Sequence, residues 1–92
     1  MPALFSLGQT IVATPGAIEA MAASDQTAAV FLSRHGSGDW GDLDENDKLL
    51  NDEAVKDDSR TFSAYHTAKG RKLWVITEAD RSSTCILLPE EY

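Results

Sequence analysis

Cysteine is almost absent: Cys85 stands alone in 92 residues, so no disulfide can form within the chain. A reducing compartment, the cytoplasm, is the expected setting, and burial has to hold the fold together. Long apolar runs are missing too. None approaches the roughly 18 residues of a membrane-spanning helix, and no membrane partner is expected. The segment Met1-Pro2-Ala3-Leu4-Phe5-Ser6 lacks the basic flank and apolar stretch of a secretory signal. Positive charge is scarce: eight Lys and Arg face fifteen Asp and Glu, a formal net charge of -7. Such a surface repels phosphate backbones, so direct nucleic-acid binding is not expected. The same field speeds encounter with a basic protein, such as a nucleic-acid-binding one. Repeats, low-complexity tracts and linkers are also absent, and one domain over 1–92 is expected.

What is present suffices for a core, since 42% of the residues are apolar. Gln9-Thr10-Ile11-Val12-Ala13 is β-branched and reads as a short strand. Thr14-Pro15 starts a helix, with threonine as cap and proline where its missing N–H costs nothing. Ala17, Ile18, Met21 and Ala22 make its inner face. Ser24 is the expected N-cap of a second helix that buries Ala28, Phe31 and Leu32 and stops at Gly36. Arg34 and His35 then fall in its last turn, where the helix dipole favours positive charge and raises a histidine pKa. Asp44 caps a third helix whose inner residues are Leu43, Leu50 and Ala54. From Thr61 the period becomes two. Strands are expected over Thr61–Thr67, Leu73–Thr77 and Thr84–Leu88, the first pair joined by a turn at Ala68-Lys69-Gly70. The last strand is apolar on both faces, so it needs neighbours on both sides, and the N-terminal strand is the free candidate. The expected fold is α+β: an N-terminal strand, two or three short helices, then a three-stranded antiparallel meander. Helices cover one face of the resulting four-stranded sheet.

The most unusual stretch is His35-Gly36-Ser37-Gly38-Asp39-Trp40-Gly41-Asp42-Leu43-Asp44, with three glycines, three acids, a histidine and a tryptophan. Trp40 in such a turn is either a contact residue of the kind enriched in binding hot spots or a plug between helices and sheet. In the first case Asp39, Trp40, Asp42, Asp44 and Asp47 form an acidic binding patch. In the second the glycines serve backbone shape, and Asp39 and Asp42 cap local amides. Asp42, Asp44, Asn46 and Glu53 match four ligand positions of a calcium loop, but Asp47 stands where the turn requires glycine and Leu50 where a ligand belongs. Cys85, His35 and His66 form no close-spaced zinc pair. No metal or cofactor is expected. The competing reading is a small ribonuclease of barnase-like or RelE-like architecture, with His35, His66 and Arg81 moving a proton and stabilising phosphate charge. Arg60, Tyr65 and Thr84 are further candidates for such a group.

Three segments carry a resemblance. Ile11-Val12-Ala13-Thr14-Pro15-Gly16-Ala17 is the first, and Arg34-His35 with Ser37-Gly38-Asp39-Trp40-Gly41-Asp42-Leu43 the second. The third comprises Trp74-Val75-Ile76-Thr77-Glu78-Ala79-Asp80-Arg81-Ser82 and Leu87-Leu88-Pro89-Glu90-Glu91-Tyr92. Together they resemble a family of short proteins carried by plasmids and integrative elements. Its members are labelled plasmid-related or, in some cases, type I restriction methylase subunit. The resemblance implies a mobile-element setting and transfers no catalytic residues. A methylase activity is not expected, because the chain has no glycine-rich cofactor loop and no Asn-Pro-Pro-Tyr-type motif. The expected function is therefore that of an acidic, non-enzymatic accessory protein of a mobile element. It would act by protein–protein binding, with inhibition of a host restriction or CRISPR system as the specific case.

Overall fold

The computed structural model describes residues 4–92. Its elements run β1 (Thr10–Ala13), α1 (Pro15–Ala23), α2 (Ala28–Gly36), α3 (Glu45–Asp57), β2 (Thr61–His66), β3 (Lys72–Thr77) and β4 (Ser83–Leu87). A 3-10 turn over Pro89–Glu91 follows. The sheet order is β1-β4-β3-β2. β2, β3 and β4 form the antiparallel meander, and β1 lies parallel to β4 with Val12 opposite Cys85. The α+β architecture inferred from the sequence is the one found, and the doubly apolar strand has neighbours on both sides.

Side chains facing the helices come from one register of each strand: Tyr65 on β2, Leu73 and Val75 on β3, Ile86 on β4. They pack against Ala17, Ala20 and Met21 of α1 and Phe31 of α2. The alanines sit one turn apart and let α1 lie close to the sheet. Ile18, one position further round, points to solvent instead of into the core. Thr14 caps α1 as expected, accepting from Ala17 N–H at 3.2 Å. The Glu91 carboxylate closes on the same helix start, accepting hydrogen bonds from the Thr14 hydroxyl and the Gly16 N–H. The residues after Pro89 are thus a clasp on α1.

Ser24 does not open α2. It closes α1, and α2 begins only at Ala28 after Thr27. The oxygens of Ser24 and Gln26 are directed across the molecule, where they accept from Lys69 N–H at 3.1 Å and Ala68 N–H at 2.8 Å in the β2–β3 turn. Gly36 remains inside α2, and Gly38, at φ +88°, takes the left-handed position beyond it. Asp44 caps α3, accepting from Asp47 N–H at 2.8 Å. Leu50 is 56% exposed rather than inward. α3 leans on the edge of β2 through Asn51 and Ala54, so its leucines have no apolar surface to meet.

A candidate protein-binding surface on the third helix

The glycine-rich turn is a built edge to the sheet. Gly41 bridges to Ala64 in parallel fashion. Ala64 N–H donates to the Trp40 carbonyl at 3.2 Å, and Asp42 N–H donates to the Ala64 carbonyl at 2.7 Å. Gly41 needs to be glycine twice over, for its φ of +74° and because a Cβ would stand 2.0 Å from the Ala64 oxygen. This geometry buries Trp40 to 3% exposure, stacked near Phe5 and edge-on to His35, with its indole N–H on Asp52 at 3.0 Å. Trp40 is therefore a plug, and its place in the acidic contact patch is corrected: nothing outside can reach the indole.

The acids expected in that patch are exposed, and each has a local task. Asp39 pairs with Arg34 at 2.7 Å and accepts from Gly41 N–H at 3.2 Å. The Arg34 hydrogen bond holds the Asp39 carboxyl below its usual range, and Asp39 in turn raises Arg34. Arg34 also lies 4.4 Å over the Tyr65 ring. Asp42 meets the exposed His66 at 2.6 Å. Asp44 caps α3, and Asp47 lies in its first turn, where the helix dipole favours negative charge.

Charge is segregated along the chain. Residues 39–58, the turn and α3, hold nine carboxylates and two lysines, while the remaining residues hold six of each sign. The whole surplus of -7 thus comes from one turn and one helix. On that helix Glu45, Leu49 and Glu53 follow at spacings of four, which places them on one outward face. Leu49 is 61% exposed, and Leu50 stands beside it. The sequence reading missed Leu49 and assigned Leu50 to the core. The available signal was their adjacency, since consecutive residues stand about 100° apart on a helix and a narrow buried stripe cannot take both.

The group His35, His66 and Arg81 is not assembled. His35 is fully buried on the helix side of the sheet, bonded to side chains of β2 and β3, whereas His66 is exposed and alternates to the opposite face. Arg81 is spent on carbonyls: those of Ser59 at 2.6 Å, Glu78 at 3.1 Å, Ala79 at 3.3 Å and Ala54 at 3.0 Å. It ties the end of α3 to the β3–β4 connection.

His35 lies in a directed chain of hydrogen bonds. Thr84 Oγ1 donates to the Leu7 carbonyl at 2.7 Å, which uses its only proton. Thr77 must then donate to Thr84, also at 2.7 Å, and His35 Nε2–H must donate to Thr77 at 3.0 Å. Nδ1 is left to accept from the Ser63 hydroxyl at 2.5 Å. The chain is satisfied by the neutral Nε2–H tautomer, with Thr61 Oγ1 also 3.3 Å from Nε2, whereas an imidazolium would force the Ser63 hydroxyl to turn its proton away from Nδ1. The helix-end position was expected to raise the His35 pKa; instead burial, aided by the Arg81 charge, lowers it to about 4. Desolvation outweighs the dipole once the ring leaves water.

Among the described residues no group of three His, Cys, Asp or Glu side chains is arranged to hold a metal ion, and no helix is long and apolar enough to cross a membrane. Cys85 is partly buried, and that burial raises its thiol pKa, the opposite of what a nucleophile needs. In comparison with known proteins, no family model matches the chain, and no curated protein and no solved structure matches it either.

Proposed function

We propose that the protein works without chemistry of its own, by binding a partner protein through α3. The observation that carries this reading is the confinement of all surplus negative charge to residues 39–58, around two exposed leucines. Carboxylates flanking an apolar anchor suit a cationic groove with an apolar floor. The acids steer encounter, and Leu49 and Leu50 supply the desolvated contact from which most affinity comes. A groove of that kind is what a nucleic-acid-handling protein offers to phosphates, so occupation by α3 would compete with its substrate. Asp42, Asp44 and Asp47 at the helix start extend the acidic surface. The resemblance to short proteins of plasmids and integrative elements supports a setting on a mobile genetic element. A restriction or CRISPR complex of the host is the corresponding target.

Affinity capture from a host extract with the native protein, beside Glu45→Lys/Glu53→Lys and Leu49→Ala/Leu50→Ala variants, tests the reading. A basic nucleic-acid-handling protein should be retained by the native chain and lost by both variants. The charge variant should slow association, and the leucine variant should speed dissociation. Equal retention by all three proteins would sink the assignment.

A further inference from the structure

A second surface lies where the helices leave the sheet uncovered. Strand alternation turns Phe62 and His66 of β2, and Lys72 and Trp74 of β3, away from the helices. In a chain with fifteen acids, none of the strand residues is a carboxylate. Phe62 and Trp74 meet edge to face with centroids 5.1 Å apart, and Trp74 and Tyr92 do the same at 5.8 Å. They enclose an open groove of roughly 180 Å³, completed by Arg60 and Ile76. Arg60 donates to the Tyr92 hydroxyl at 3.0 Å and stands a loose 3.8 Å from Glu78. The register puts cations at both ends of this aromatic platform. Lys72 lies two residues from Trp74 and opposite His66, and Arg60 precedes the Thr61 that pairs with Thr77.

We propose that this groove takes a base of single-stranded nucleic acid, stacked on Trp74, with Arg60 and Lys72 meeting the phosphates on either side. The groove has the size of one planar ring, and aromatic side chains on an open sheet are a sequence-tolerant platform for bases. Charge complementarity selects this occupant. A second copy of the chain would set the same cations against each other, and a purely apolar partner would leave Lys72 without a counter-charge and Arg60 with only its loose contact to Glu78. The net charge, which argues against nucleic acid for the chain as a whole, is concentrated on residues 39–58. Two carboxylates do border the platform, and each is paired: Asp42 of that segment with His66 at 2.6 Å, and Glu78 with Arg60 at 3.8 Å. The proposal uses a different face from α3 and stands apart from the protein-binding reading.

The two tryptophans make the test direct. Trp74 is half-buried beside the groove, whereas Trp40 is sealed, so quenching by a stacked base reports on Trp74. The full chain is titrated with an oligonucleotide of about ten residues, the same length with abasic sites, and a free nucleoside monophosphate. Saturable quenching by the oligonucleotide is expected, at least about tenfold weaker with the abasic strand, and weakening as salt rises. Trp74→Leu and Arg60→Met should each lower affinity about tenfold in anisotropy of a labelled strand, with circular dichroism unchanged. Arg60, at the surface, keeps the question decidable if the tryptophan variant does not fold. Glu45→Lys/Glu53→Lys should preserve the Trp74 dependence, which separates this site from the α3 surface. No quenching at low salt, equal binding of the abasic strand, or unchanged affinity in Arg60→Met overturns the proposal. So does a free nucleotide binding as tightly as the strand, or a dimer in sedimentation that buries Trp74.

Discussion

The Asn51 side chain pairs with both backbone groups of Phe62: its Oδ1 accepts the Phe62 N–H at 3.0 Å, and its Nδ2 donates to the Phe62 carbonyl at 2.5 Å. One amide on α3 thus imitates a neighbouring strand. Two residues on, the outward N–H and C=O of Ala64 are taken by Trp40 and Asp42. Between them, the helix and the glycine-rich turn seal the outer edge of β2, which would otherwise invite pairing with another chain. The most unusual stretch of the sequence is therefore architectural. Its acids are presented to solvent because the backbone beneath them is fixed.

Replacing Asn51 by Leu removes both bonds at once and leaves two backbone groups of β2 without partners. Each unsatisfied group costs about 1–3 kcal/mol, so a loss of about 2–6 kcal/mol is expected in urea denaturation. Asn51→Asp keeps the acceptor but sets a carboxylate against the Phe62 carbonyl, and should also destabilise. A change within a few tenths of a kcal/mol for either variant would show that the edge is sealed by other means.

The buried imidazole makes stability depend on pH in one direction. His35 has a folded-state pKa of about 4, against about 6.5 for an unfolded chain. Between those values the unfolded chain binds the proton and the folded one does not, so stability rises with pH. The stabilisation is complete above about pH 6.5 and is lost as pH falls toward about 4, in total about 3 kcal/mol. Histidine nitrogen shifts should show the neutral Nε2–H form at pH 6, and Thr84→Val should disturb that tautomer without touching the ring. A His35 that titrates near 6.5 in the folded protein contradicts the hydrogen-bond chain.

How much of this was legible follows from where the signals lie. The Thr14 and Asp44 caps could be read because a cap is local chemistry, settled within four residues. The strands from Thr61 onward could be read because alternation is local too, and the doubly apolar β4 told its own position in the sheet. Asn51, Arg81 and Ser24 could not. Their partners are backbone atoms of other segments, which no side-chain pattern marks, so Arg81 resembled a member of a catalytic group and Ser24 a cap. The direction of the His35 shift was misread for a related reason. The helix end was visible, but the hydroxyls of Ser63 and Thr77 that close around the ring come from β2 and β3.

Two glycines with left-handed backbone separate steric need from conformational need. Gly70, at φ +87°, has nothing within 4 Å of a built Cβ, whereas at Gly41 a Cβ meets the Ala64 oxygen and the Tyr65 ring. Gly70→Ala should cost about 1 kcal/mol, the backbone penalty alone. Gly41→Ala adds an impossible contact with the strand edge and should cost about 3 kcal/mol or more. Equal costs in thermal or urea unfolding would remove the bridge to β2 as the reason for this glycine.

Arg81 offers the sharpest separation of shape from charge. Its guanidinium reaches four carbonyls on three segments and lies 5.2 Å over the Phe5 ring, while its own backbone is held at φ +58°. Lysine keeps the charge and suffers the same backbone strain, but a single ammonium cannot span those acceptors. Arg81→Lys should therefore cost about 2 kcal/mol, the scale of hydrogen bonds made by a charged group, and free the end of α3 at Ala54. Arg81→Met removes the charge as well. Because that charge contributes to lowering the His35 pKa, the methionine variant should raise it while burial keeps it below the ordinary value. An Arg81→Lys protein of native stability, or an Arg81→Met protein with the His35 pKa unmoved, would mean that the guanidinium neither fastens the helix nor acts on the imidazole.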